Sequence, residues 1–179
     1  MRCFQAGAAL TSGESHHQIG SRIKAFFWDF FTALMARILT MSSGKNLTNL
    51  KIALYSDDSS VRSSIITALG RRVSADLPEH KIVEFATGPA LRLHLDSKQH
   101  VDLFILDGEA VPEGGLGLAR QLKDEVFNCP PVLVITGRVQ DNWLAAWSKA
   151  DDAILHPIDP FTLASKVAAL LKDKTVISA

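Results

Sequence analysis

The chain has 179 residues, 47% of them apolar, enough for one ordinary hydrophobic core, and its nineteen basic residues offset nineteen acidic ones. That balance speaks against a strongly basic nucleic-acid-binding domain and leaves no polybasic patch for a membrane surface. Cys3 and Cys129 stand far apart, which excludes a disulfide framework and a paired-cysteine metal motif and makes a reducing cytoplasm the simplest compartment.

Residues 1–20 carry no hydrophobic period and read as poorly ordered, with His16 and His17 adjacent rather than at helical metal-ligand spacing. Residues 22–40 read as an amphipathic helix. Ile23, Phe26, Phe27, Phe30, Phe31, Leu34, Ile38 and Leu39 fall on one arc, and Arg22, Asp29, Thr32 and Arg37 on the other. A membrane span needs about 20 mostly apolar residues, and a central aspartate costs roughly 2.5–3.5 kcal/mol, so Asp29 opposes one. No small-residue cleavage site follows, which opposes a signal peptide. Three readings stay open: contact with a membrane surface, packing on the folded domain or a partner, or an over-long start with Met41 as the true first residue. Residues 1–48 are therefore set apart as an extension, 49–174 as the folded domain and 175–179 as a tail.

From Leu50 onward strands and helices alternate. Residues 51–55 form a strand, followed by the capping side chains Ser56, Asp57, Asp58 and Ser59 and a helix carrying Val61, Ile65, Ile66 and Leu69, with Gly70 as its stop. Residues 81–85 are a second strand and 88–95 a short helix. Residues 101–106 are a third strand, its apolar run placing it inside a parallel sheet. A helix over 116–126 turns Leu118, Ala119 and Leu122 inward, and Pro130-Pro131 separates it from a fourth strand at 132–135. A helix at 141–149 and a fifth strand at 153–155 follow. Asp159 caps a last helix with Pro160 at its first position and Leu163, Val167 and Leu171 on its buried face. Five strand–helix repeats predict an α/β fold, a doubly wound parallel sheet.

The residues at the carboxyl ends of these strands carry the functional signal, because open α/β sheets bind ligands along that edge. They are Ser56-Asp57-Asp58, then Asp107, then Thr136-Gly137, then His156-Pro157. Asp107 ends the central strand, and Gly108, Pro112, Gly114 and Gly115 force a loop after it, so its carboxylate should project, exposed, at the edge. Taken with Arg62 five residues after Asp57, Gly115 eight after Asp107 and A-D-D ahead of His156-Pro157, the pattern resembles the receiver domain of bacterial two-component response regulators over nearly all of residues 49–174. The resemblance implies the flavodoxin-like (βα)5 sheet with strand order 2-1-3-4-5, an order for which a receiver is itself a standard example.

The resemblance further implies a signalling protein, not an enzyme, that accepts a phosphoryl group on Asp107 from a histidine kinase. Asp57, Asp107 and the backbone carbonyl of Glu109 would hold magnesium, a hard cation that takes oxygen ligands and keeps waters. Thr136 and His156 would contact the phosphoryl group. Four departures bear on this. Ser56 replaces the first acid of the family's pair and lowers the expected metal affinity unless Asp58 swings in. His156 replaces a lysine, and an imidazole with a pKa of about 6.5 is roughly one-quarter charged at neutral pH. Ala153 replaces an aromatic residue that couples phosphorylation to the surface, and Pro112 comes one residue late.

Other functions fit less well. A haloacid-dehalogenase-type phosphatase would need its nucleophile where Ile105 stands, and in a flavodoxin Asp57 and Asp58 would repel the phosphate. A pseudo-receiver, using the same fold as a phosphorylation-independent interaction module, is the alternative. The partner surface implied by the resemblance is the face of the fourth helix, fifth strand and fifth helix, engaging a target or a second copy. In the fourth helix, matching the A-D-D and His-Pro landmarks to the family puts Trp143 and Ala146 inward and leaves Trp147 exposed, an apolar anchor in water; the alternative is a Trp147 partly buried against the following loop or the helix at 22–40. The short stretch after the last helix leads to the expectation of a stand-alone receiver.

Overall fold

The structure, a computed structural model, describes residues 49–177. The expectations for residues 1–48, including the helix at 22–40 and the start at Met41, lie outside the described residues. Five parallel strands, β1 (Leu50–Tyr55), β2 (His80–Phe85), β3 (Leu103–Asp107), β4 (Val132–Thr136) and β5 (Asp152–Leu155), form one sheet in the order β2-β1-β3-β4-β5. The helices are α1 (Ser59–Leu69), α2 (Gly88–Asp96), α3 (Gly115–Glu125), α4 (Asn142–Trp147) and α5 (Pro160–Ile177). This is the flavodoxin-like topology that the family resemblance implies.

Strand side chains alternate between two apolar layers, as a period of two requires. Ile52, Leu54, Leu103, Ile105, Leu133 and Ile135 face α1 and α5 and pack with Ile65, Leu69, Leu163, Val167 and Leu171. Ala53, Tyr55, Phe104, Leu106, Val132 and Val134 face the other way and pack with Leu91 of α2, Leu118, Ala119 and Leu122 of α3, and Ala145 of α4. Every residue of β3 and β4 is buried, which is why both read as continuous apolar runs. The caps also follow the sequence. The Asp58 side chain accepts from the Ser60 N–H at 2.7 Å, Asp159 accepts from the Thr162 N–H at 2.8 Å, and Gly70 ends α1 with φ +58°.

Two boundaries differ in a way that matters. The third strand begins at Leu103, two residues later than expected, and Asp102 just before it accepts from the Lys51 N–H at 2.8 Å. The strand also includes Asp107, whose register partner on β4 is Ile135. The fourth helix is the larger correction. A 3₁₀ turn at Val139–Asp141 precedes α4, which then runs for only six residues. Ala145 and Ser148 face inward, while Trp143 (66% exposed) and Ala146, both expected inside, lie outside. The inward position of α4 is a small residue, Ala145, in the same apolar layer as Leu118 and Val134. Ser148 loses no hydrogen bond by its burial, since its hydroxyl donates to the Ala145 carbonyl at 2.7 Å.

Candidate functional site

The carboxyl edge of the sheet brings together Ser56, Asp107, Glu109, Thr136 and His156. Each position is set by a strand end. Asp107 closes β3 between its two neighbours, β1 and β4, and is 3% exposed. The expectation of an exposed carboxylate is thus corrected. The side chain is at the predicted edge, but its neighbours close over it. Ser56, fully buried one residue beyond β1, donates its hydroxyl to Asp107 Oδ2 at 2.7 Å. The Glu109 N–H donates to Asp107 Oδ1 at 3.0 Å, and His156 Nε2 lies 3.9 Å from the same oxygen. A carboxylate of this burial is tolerable because both oxygens are engaged.

The remaining predicted residues fall nearby but in different roles. Thr136 is buried and its hydroxyl donates to the Ile154 carbonyl at 3.4 Å, toward β5. The His156 N–H donates to the Thr136 carbonyl at 2.9 Å, tying the ends of β4 and β5 together. Asp57 is exposed. Asp58 does not swing into the site. Its carboxyl is spent on capping α1, and the hydrogen bonds of Ser60 hold it below the ordinary carboxylate range. Arg62 reaches back from α1 to the Ser56 carbonyl at 2.7 Å and to Glu84 at 3.1 Å, fixing the turn that carries Ser56 and Asp57.

A brace that the sequence does not announce holds the loop after β3. Arg92 on α2 forks onto Glu113 with bonds of 2.7 and 3.0 Å, and the Tyr55 hydroxyl donates to the Glu113 carbonyl at 2.5 Å. These residues are 21 and 58 positions apart, so only the folded sheet juxtaposes them. The hydrogen bond from Arg92 holds the Glu113 carboxyl below its ordinary range. Tyr55 shows how acidic the edge is: burial first, then the carboxylates of Glu113, Asp57 and Asp107, push its phenol upward. On the β4 side the Glu109 carboxylate accepts from the Gly137 N–H at 3.2 Å.

The donor set could hold magnesium, but sparsely. Two carboxylates, Asp57 and Asp107, and the Glu109 carbonyl are the ligands available, and the position where a further acid would stand is Ser56, whose proton already points at Asp107. No group of three or more His, Cys, Asp or Glu side chains among the described residues is arranged to hold a metal ion. Magnesium elsewhere is bound through one or two carboxylates plus waters and substrate phosphates, so this set could offer only a weakly held, largely hydrated ion.

Several apolar side chains are exposed on the surface where a partner is expected. Val139, Trp143, Trp147 (51% exposed), Leu155 and Phe161 are exposed on the turn before α4, on α4, β5 and the start of α5. Trp147 is exposed as expected, with the Arg120 guanidinium 5.7 Å from its ring centroid and bonded to its carbonyl at 2.9 Å. Among the described residues no helix is long and apolar enough to cross a membrane.

No protein-family model matches the chain. A response regulatory protein of Mycobacterium tuberculosis, in the CDC 1551 / Oshkosh and H37Rv strains, is 50% identical over 125 residues, which cover 70% of this chain and 93% of that protein. Solved receiver domains share the fold at low identity. The CheY-like receiver of Methanospirillum hungatei is 16% identical with a TM-score of 0.59, covering 72% of this chain and 98% of its own. The chemotaxis response regulator CheY4 of Vibrio cholerae is 19% identical with a TM-score of 0.57, covering 69% and 100%. The BeF3-activated receiver domain of DrrB is 20% identical with a TM-score of 0.56, covering 70% and 99%.

Proposed function

This chain belongs to the response-regulator family, and we propose that residues 49–174 act as a phosphoacceptor receiver, taking a phosphoryl group on Asp107 from a histidine kinase in the cytoplasm and signalling by protein–protein contact. The observation that carries this reading is the placement of Asp107. It is the one carboxylate among the described residues that ends a strand of the sheet, and it does so at the centre, where Ser56, Glu109 and His156 converge on its two oxygens. The chain's own residues would divide the work. Ser56 and the Glu109 N–H orient the carboxylate, and His156 and Thr136 stand on the neighbouring strand ends to meet the incoming group. A dianionic phosphoryl group favours a cation beside it, so His156 serves best when protonated. Magnesium, when bound, would neutralise charge on the arriving group, with Asp57, Asp107 and the Glu109 carbonyl as its ligands.

The output side of the reading is the face of α4, β5 and α5, where Trp143, Trp147 and Phe161 offer aromatic anchors to a target or a second copy. A second reading, the phosphorylation-independent interaction module, is favoured by one observation: Asp107 is 3% exposed and already hydrogen-bonded. Acetyl phosphate labelling followed by intact-mass measurement separates the two. The phosphoacceptor reading predicts one added phosphoryl group on the wild type and none on Asp107→Asn. Equal labelling of the two proteins would move the acceptor elsewhere, and no labelling of either would favour the interaction module.

A further inference from the structure

The backbone donors at the ends of β3, β4 and β5 mostly go to fixed acceptors. The Gly108 N–H donates to the Ile135 carbonyl at 2.8 Å, the Glu109 N–H to Asp107 Oδ1 at 3.0 Å and the His156 N–H to the Thr136 carbonyl at 2.9 Å. The Gly137 N–H differs, since it donates to Oε1 of the Glu109 side chain at 3.2 Å. Glu109 is exposed, so its carboxylate is a partner that can leave without breaking any strand pairing. The glycine at 137 shows the same contact from the other side. A Cβ there would stand 2.7 Å from Glu109 Oε1 and 2.8 Å from the carboxyl carbon, so only glycine leaves room for the carboxylate. Glu109 thus bridges the ends of β3 and β4: its N–H meets the carboxylate of Asp107, and its side chain crosses to the residue after Thr136.

We propose that the Glu109 carboxylate is an internal brake on Asp107: it occupies the Gly137 N–H, a donor suited to the phosphoryl oxygens, and must swing out before that group is fully stabilised. The inference rests on Asp107 being the acceptor. In that step an electron pair of the Asp107 carboxylate forms the new bond to phosphorus while the phosphorus–oxygen bond of the donor acetyl phosphate breaks. Acetate leaves with the pair of the broken bond, and no proton or redox equivalent is exchanged. The product carries a dianionic group, and the N–H donors that stabilise such charge best are those aimed at it beforehand. An N–H already given to a carboxylate is not free to do so, and the carboxylate sets a like charge beside the arriving group. A single hydrogen bond from an exposed side chain is a modest barrier, so the brake slows labelling without forbidding it. It uses the N–H and side chain of Glu109 and leaves the Glu109 carbonyl to magnesium.

The test compares wild type, Glu109→Ala, Gly137→Ala, the double variant and Asp107→Asn in the full chain, all in magnesium chloride. Before any phosphodonor is added, the amide spectrum of Glu109→Ala should show the Gly137 proton shifted upfield and exchanging faster with water. With acetyl phosphate, Glu109→Ala should label about 2–10-fold faster than wild type, the value of one hydrogen bond. Gly137→Ala should gain a similar factor, because its methyl group pushes the carboxylate aside while the charge of the chain is unchanged. The double variant should gain no more than the larger single effect, since both substitutions remove one contact. A Gly137 amide unchanged in Glu109→Ala overturns the inference, and so does a Glu109→Ala rate no higher than that of wild type. Both criteria hold even where Gly137→Ala fails to fold. Labelling that survives Asp107→Asn, or no labelling of any of the proteins, removes the acceptor assignment and the inference with it, whereas an unmoved Gly137 amide removes the brake alone.

Discussion

Gly115 and Gly117 lie two residues apart in the first turn of α3, yet alanine should act on them with opposite sign. A Cβ on Gly115 would stand 2.4 Å from the Asp107 carbonyl oxygen, 2.7 Å from its carbon and 2.9 Å from the Leu106 carbonyl carbon. All three are backbone atoms of β3, so no side chain can swing away. Ordinary contact begins near 3.4 Å, and the helix start must therefore retreat by about 1 Å from the strand that carries Asp107. Forcing such an atom into a packed site costs typically about 1–3 kcal/mol. Gly115 does not have positive φ, so the penalty is steric rather than conformational. A Cβ on Gly117 meets nothing within 4 Å, and alanine there should stabilise α3 by roughly 0.5–1 kcal/mol through helix propensity. Urea denaturation of both variants gives the two values directly. Gly115→Ala should fall below wild type and Gly117→Ala rise above it, a spread of about 1.5–4 kcal/mol. Equal effects, or a neutral Gly115→Ala, would refute the close approach of helix and strand on which the site's geometry depends.

Two further outcomes test other parts of the structure. His80 begins β2, and burial pushes its imidazole below the ordinary value near 6.5, so the unfolded chain binds the proton more readily. Stability from this group is present above that value and is lost as pH falls through the window below it. His80→Asn should flatten the stability–pH profile over that window, measured by urea midpoints, and an unchanged slope would remove His80 as its cause. Trp143 and Trp147 should both be quenched by acrylamide in dilute protein. Protection of both at high concentration or with a target would mark the α4 face as the contact surface, and a shielded Trp143 in the dilute protein would contradict the phase of α4.

Much of the fold could be read because its signals are local. The apolar run ending at Asp107, the caps Asp58 and Asp159, and the stop at Gly70 each depend on a few neighbouring residues, and all appear where expected. The order of the strands came through the family resemblance, which the five-stranded sheet matches. What could not be read depends on atoms brought together from afar. Asp107 is held by Ser56, 51 residues earlier, and the loop brace comes from Arg92 and Tyr55 meeting Glu113. The expected phase of α4 rests on the family landmarks rather than on its own residues, and in the structure Ala145 and Ser148, not Trp143, are the buried positions.

The most direct test of the central claim is the amide spectrum of the full chain with and without beryllofluoride, in wild type and Asp107→Asn. If Asp107 is the acceptor, Gly108, Glu109, Thr136 and Gly137 shift in wild type, with smaller changes reaching α4 and β5, and none of these shifts occurs in Asp107→Asn. A wild-type spectrum unchanged at the ends of β3 and β4, with or without magnesium, would contradict the phosphoacceptor account.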